Sequence, residues 1–191
     1  MEDVDTEDRQ ATGRLSRRAV FGGATLALAA AAAPAMAGPS GGAGPVPAAP
    51  GIEFVFEETV LLTAAQKVGA TPYGKRLRIP IVGGTFSGKR IRGKILSGGA
   101  DWQLVRSDGC VVVDADYMIE ADDGALIHVR NKGVIVPPGP KGQAAYVRAA
   151  PTFEAPIGPH DWLNKSLFVS TIQPAKIDSQ AAVIIRIYRI T

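Results

Sequence analysis

Hydrophobic and polar positions alternate along much of this chain, most clearly between Gly98 and Arg130 (GGADWQLVRSDGCVVVDADYMIEADDGALIHVR). Two Asp-Gly pairs, Asp108-Gly109 and Asp123-Gly124, divide that stretch into three extended runs. Asp-Gly supplies the positive backbone angles of a tight hairpin turn, so the runs predict three consecutive antiparallel strands. In the middle run Val111, Val113, Ala115, Tyr117 and Ile119 share one face at a period of two, which marks a strand with a buried side. The other face carries Cys110, Val112, Asp114, Asp116 and Met118 and is mixed rather than polar. A strand filled on both faces suits a barrel stave.

The same short, β-rich pattern runs on either side. Strands are expected at 52–62, 77–82, 89–96, 143–149, 162–170 and 181–190, with a loop through Gly69, Pro72 and Gly74 and a connection at Gly83-Gly84. The run Ala182 to Tyr188 is the most apolar, as a central strand would be. No helical stripe exceeds two turns. About 8–10 strands punctuated by Gly and Pro predict an all-β fold, an antiparallel barrel or sandwich, of which we expect a single-domain barrel over 52–191.

The first 37 residues follow a different logic. Arg14, Arg17 and Arg18 precede a charge-free, Ala-rich run that closes on Ala35-Met36-Ala37, the layout of a secretory signal with its cleavage site. Arg17-Arg18-Ala19-Val20-Phe21 resembles a twin-arginine signal, which implies the twin-arginine export machinery as a partner and a periplasmic or otherwise exported mature chain. An uncleaved anchor and a disordered tail are the alternatives. Residues 38–51, rich in Gly, Pro and Ala, read as a linker.

Charge and composition remove several function classes. The net charge of +3 is spread among acidic residues, so nucleic acid is not an expected partner. The clusters Lys75, Arg76, Arg78 and Lys89, Arg90, Arg92, Lys94 have strand spacing and read as solvated faces. Cys110 stands alone, which excludes an intrachain disulfide, and is expected as a buried small hydrophobe. His128 and His160 lack metal-pair spacing, and no metal or other cofactor is expected. Gly83 to Lys89 imitates a phosphate loop in composition, but Arg90 stands where Ser or Thr is needed.

What remains is a set of aromatic and polar residues near glycine turns: Asp101-Trp102, Tyr117, His128, Tyr146, Arg148, Glu154 and His160-Asp161-Trp162-Leu163-Asn164. Tyr146 and Arg148 share a strand face, as do Trp162 and Asn164. Turned inward, such faces would line a small-molecule pocket. The two Trp residues also suit core plugs, and Arg148 with Glu154 or Asp101 suits a structural ion pair.

PYGKRLRIPIVGGTFSG (72–88), GGADWQLVRSDG (98–109), DDGALIHVRNKG (122–133), YVR (146–148), PTFE (151–154) and WLNK (162–165) resemble, in this order, the domain-of-unknown-function family 3237, also called uncharacterised protein family 0311. The resemblance spans Phe54 to Tyr188 and implies a compact antiparallel β-barrel with cofactor-free, small-molecule roles. By position it singles out Asp101, Trp102, Tyr117, Asp123, Tyr146, Arg148, Phe153, Glu154, Trp162 and Asn164. Asp116 stands where the family usually has Arg, and Val147 where it usually has Phe.

The expected function is therefore binding of a small, aromatic or oxygenated molecule with cofactor-independent acid–base chemistry of a lyase, isomerase or addition–cyclisation type. Asp101 or Glu154 would be the base, Tyr117 or Tyr146 the proton donor and Arg148 the anion anchor, with Trp102, His128, Phe153, Trp162 and Asn164 as ligand contacts. The rival is a non-catalytic carrier. The pattern leaves the oligomeric state open, a homo-oligomer included. Export is tested by changing Arg17 and Arg18 together to Lys, which should block it although charge is kept. Periplasmic protein that still carries residues 1–37 would refute cleavage after Ala37.

Overall fold

The computed structural model describes residues 47–191; the expected signal over residues 1–37 and residues 38–46 of the expected linker lie outside the described residues. Ten antiparallel strands follow one another: β1 (Ile52–Leu62), β2 (Gln66–Thr71), β3 (Gly74–Gly88), β4 (Arg92–Ile95), β5 (Ala100–Val105), β6 (Val111–Ala121), β7 (Leu126–Val136), β8 (Tyr146–Glu154), β9 (Phe168–Ile177) and β10 (Gln180–Ile190). The sheet closes on itself because β1 pairs with β10 on one side and with β3 on the other. From β10 the order runs through β9, β8, β7 and β6, and both β4 and β5 bridge β6 to β3. β1 and β2 pair with successive parts of β3, as do β4 and β5 on its other edge, so ten strands make a closed barrel of eight staves. The all-β barrel expected from the alternation is the fold.

Both Asp-Gly hairpins fall where the pattern placed them, between β5 and β6 and between β6 and β7. Four local expectations change. Gly83-Gly84 is not a connection but the middle of β3: the pair has φ of +143° and +141°, angles that let the strand bend as it passes from β2 and β5 to β1 and β4. The expected loop at Gly69 is β2, which forms a hairpin with β3 across Pro72-Tyr73. Trp162 to Lys165 is not strand but part of a 3-10 turn, Asp161–Lys165, held by the Asn164 amide, which binds both the N–H and the C=O of Ala155 at 2.8 Å. Cys110 is half-buried, since it closes the β5–β6 hairpin at the rim.

The interior has two parts. One end is solid: Phe56, Phe86, Phe153 and Phe168 form a chain of rings with centroids 5.0–5.9 Å apart, closed by Leu163 from the 3-10 turn. Towards the other end the same staves carry smaller side chains, and space opens between them. Between these parts lies a belt of buried polar residues, Glu58, Tyr117, Asn131 and Ser170. One seam is weak, since β8 and β9 share only the pair Ala149 and Ser170.

Candidate functional site

The open end of the barrel holds a cavity of about 370 Å³, within the range of small-molecule sites. Its walls differ in chemistry. Val60, Leu62, Ile79 and Ile81 from β1 and β3, and Ile172, Val183 and Ile185 from β9 and β10, make one side entirely aliphatic. The facing side, from β5, β6 and β7, brings Asp101, Gln103, Tyr117 and Asn131 into the same space. No Arg, Lys or His among the described residues lines it.

Asp101 owes its position to a gap in a ladder. β5 and β6 pair at Ala100 and Asp101 and again at Leu104 and Val105, but not at the two residues between. The Asp101 carboxylate fills that gap by accepting the Asp114 N–H at 2.9 Å through one oxygen. Its other oxygen accepts the Gln103 side-chain N–H at 2.7 Å. Burial raises its pKa above the ordinary 3.8, against the two hydrogen bonds, and the nearby Asp114 charge adds to the rise.

Tyr117 forms the floor. Its strand lies close against Gly99, where a Cβ would stand 2.5 Å from that of Tyr117, so the glycine fixes how near the ring can approach. The Tyr117 hydroxyl donates to Glu58 Oε2 at 2.7 Å. Glu58 has no exposure at all, and its Oε1 finds no partner among the described residues. Burial pushes its pKa from 4.5 to about 7, although the Tyr117 hydrogen bond pulls the other way. The same burial, with the adjacent carboxylate, holds the Tyr117 phenol well above 10. The pair is thus a buried acid near neutrality, coupled to a phenol on the cavity floor.

Of the residues expected in one pocket, only Asp101 and Tyr117 line this cavity. On β8 the inward positions are Val147, Ala149, Pro151 and Phe153, so Tyr146, Arg148 and Glu154 point outward. Arg148 bonds the Val147 carbonyl at 2.7 Å and lies 5.5 Å from the Tyr146 ring centre; it does not anchor a ligand in the cavity or pair with Asp101 or Glu154. His128 also faces outward, 3.0 Å from Asp116 and 3.8 Å from Glu154. Asp116, where the family usually has Arg, therefore changes the outer wall rather than the interior. Trp102 is on the outside beside Arg78, and Trp162 lies under Arg90, whose guanidinium is 4.2 Å from its ring centre. Phe153 belongs to the ring chain and Asn164 to the 3-10 turn. Glu58, Gln103 and Asn131 were not anticipated. The signal for Glu58 was present: it occupies an inward slot between Phe56 and Val60 at a period of two.

Eight-stranded barrels are either filled by side chains or leave room for one small ligand, and this interior is filled at one end and open at the other. The chain belongs to the family described as protein of unknown function (DUF3237), whose model matches residues 50–190. A UPF0311 protein from Clostridium acetobutylicum is 35% identical over 129 residues, covering 61% of this chain and 82% of that one. One from Rhodopseudomonas palustris strain TIE-1 is 33% identical over 132 residues, covering 62% and 85%. Among solved structures, a β-barrel-like protein from Acinetobacter baumannii superposes with a TM-score of 0.68 at 32% identity, covering 76% of this chain and 99% of its own. An enzyme from Penicillium herquei superposes with a TM-score of 0.60 at 23% identity, covering 78% and 100%, and shares the fold.

The pKa of Glu58 makes stability depend on pH. The folded state keeps a proton that the unfolded chain releases above 4.5, so this contribution is complete below 4.5 and lost as pH rises through about 7. At about 1.4 kcal/mol per pH unit the loss is about 3 kcal/mol. Glu58→Gln should flatten that fall in urea unfolding measured at a series of pH values. An unchanged pH dependence in the variant would remove Glu58 as its source.

Proposed function

We propose that the cavity binds a small, largely apolar molecule and moves protons on it without a cofactor. The observation that supports this is the presence of two carboxyl groups with raised pKa, Asp101 on the wall and Glu58 behind the floor, in an apolar space with no basic side chain among the described residues. In this reading Asp101 is the general base and takes a proton from a C–H or O–H of the ligand. Glu58, when protonated, turns its hydrogen bond with Tyr117 round and donates to the phenolic oxygen, which frees the Tyr117 proton for the atom of the ligand that gains charge. As that proton leaves, the Glu58 proton passes to the phenolic oxygen; after product release Asp101 gives its proton to water and Glu58 takes one up, since its own affinity for a proton is near balance at neutral pH. No electrons leave the ligand, so the scheme suits isomerisation, elimination or intramolecular addition. The carrier reading keeps the cavity and drops the proton transfers. We further propose that the barrel acts outside the cytoplasm, on the strength of the signal pattern in residues 1–37.

A probe separates catalyst from carrier without knowledge of the natural ligand. 5-Nitrobenzisoxazole is uncharged and aromatic, and a base that removes the C–H proton of its isoxazole ring breaks the N–O bond, turns the C=N into a nitrile and releases a coloured phenolate. The mature barrel should accelerate this elimination, with a rate that rises with pH along a limb displaced above the ordinary aspartate range. Asp101→Asn should lower the rate by about 100-fold, as expected for loss of a positioned base. Binding of the probe with no acceleration would leave the carrier reading in possession.

A further inference from the structure

We propose that the barrel cavity selects uncharged apolar molecules that offer a hydrogen-bond donor, such as a hydroxyl, and rejects carboxylates, sulfonates and phosphates, with Asp101 setting the choice. This rests on the reading that the cavity is the ligand site and names the class of ligand it takes.

The chain has 21 Lys and Arg residues, yet none of the described ones lines the cavity. On β3 the basic Arg76 and Arg78 alternate with inward Ile79 and point to the outer wall, where Arg76 bonds the Trp102 carbonyl and Arg78 the Gln66 side chain. Arg130 is outside on β7, held by Asp114 through two hydrogen bonds of 3.0 Å. An anion entering the cavity would lose water, gain no cation and come to rest near the Asp101 carboxylate.

The polar atoms available to a ligand point the same way. Each Asp101 oxygen already accepts one hydrogen bond, and a carboxylate oxygen has room for a second. In the resting hydrogen bond the Tyr117 hydroxyl donates to Glu58, so its oxygen accepts from the ligand until Glu58, as the acid, turns that bond round. Asn131 Oδ1 accepts the Ser170 hydroxyl at 3.3 Å, so its amide N–H groups, with the second N–H of Gln103, are the donors that remain. A hydroxyl satisfies this set as donor to Asp101 and acceptor from an amide. A carboxylate has no proton for Asp101 and repels it. Two unit charges a few ångströms apart at the effective dielectric of protein sites differ in free energy by enough to change affinity on the order of 100-fold.

Three probes of one shape test the claim in the mature barrel at slightly acidic pH, where Glu58 keeps its proton: 2-naphthol, naphthalene and 2-naphthoate, with affinities measured by calorimetry or equilibrium dialysis. The expected order is naphthol, then naphthalene, with naphthoate weaker than naphthol by about 100-fold or more. Asp101→Asn retains an acceptor for the Asp114 N–H and should bring naphthoate to within about tenfold of naphthol by removing the buried charge. Naphthoate binding within tenfold of naphthol in the unaltered protein overturns the proposal while leaving the cavity as a ligand site. A ratio unchanged by Asp101→Asn in a folded variant overturns the part assigned to Asp101. Naphthol no tighter than naphthalene overturns the need for a donor, and failure of both neutral probes to bind overturns this inference together with the reading it rests on.

Discussion

A carboxyl group buried without a cation among the described residues governs the interior of this barrel. Glu58 lies on β1, the strand that closes the barrel, opposite Phe86 on β3 and Ile185 on β10. An ionised carboxylate there is expensive, and one neutral hydrogen bond from Tyr117 offsets only part of that cost. An aliphatic residue in the same slot would pack without a desolvation cost, as its neighbours Phe56 and Val60 do. The physical consequence is a proton held near neutrality at the boundary between a solid core and an empty space.

The rest of the interior is arranged around that boundary. Below it, four phenylalanine rings fill the barrel and fix the staves, which gives the polar belt a rigid base. Above it, side chains shorten and the walls divide into an aliphatic half and a half that carries Asp101, Gln103 and Asn131. The charged residues that would compensate these carboxyl groups are on the outside, in pairs such as Arg186 with Glu57 and Arg189 with Glu53, both at 2.7 Å. Such exposed pairs contribute little to stability, but they keep the outer wall soluble and leave the interior field uncancelled.

Much of this architecture is legible in the chain. The Asp-Gly hairpins and the face of Val113, Tyr117 and Ile119 predict three adjacent staves, and Asp101 and Tyr117 follow from them. β8 shows where the reading fails. Tyr146 and Arg148 do share a face, but it is the outer one, and only the apolar set Val147, Ala149, Pro151 and Phe153 on the alternate positions tells which side is inward. Attention to chemically capable side chains favoured the wrong face. Glu58 was hidden by the opposite error: beside Glu57 it looks solvated, although its two-residue spacing from Phe56 and Val60 places it inside. Glycine pairs are ambiguous for a physical reason too, since Gly83-Gly84 suits a bend within a strand as well as a turn between two.

Glu58 as a buried acid near neutrality, coupled to Tyr117, is open to direct titration. Its side-chain carboxyl carbon, labelled with ¹³C and assigned by its loss in Glu58→Gln, can be followed by NMR as pH is varied. The midpoint is expected near 7, moving higher in Tyr117→Phe because the hydrogen bond that favours the charged form is lost. A midpoint at the ordinary 4.5, unmoved by Tyr117→Phe, would contradict it.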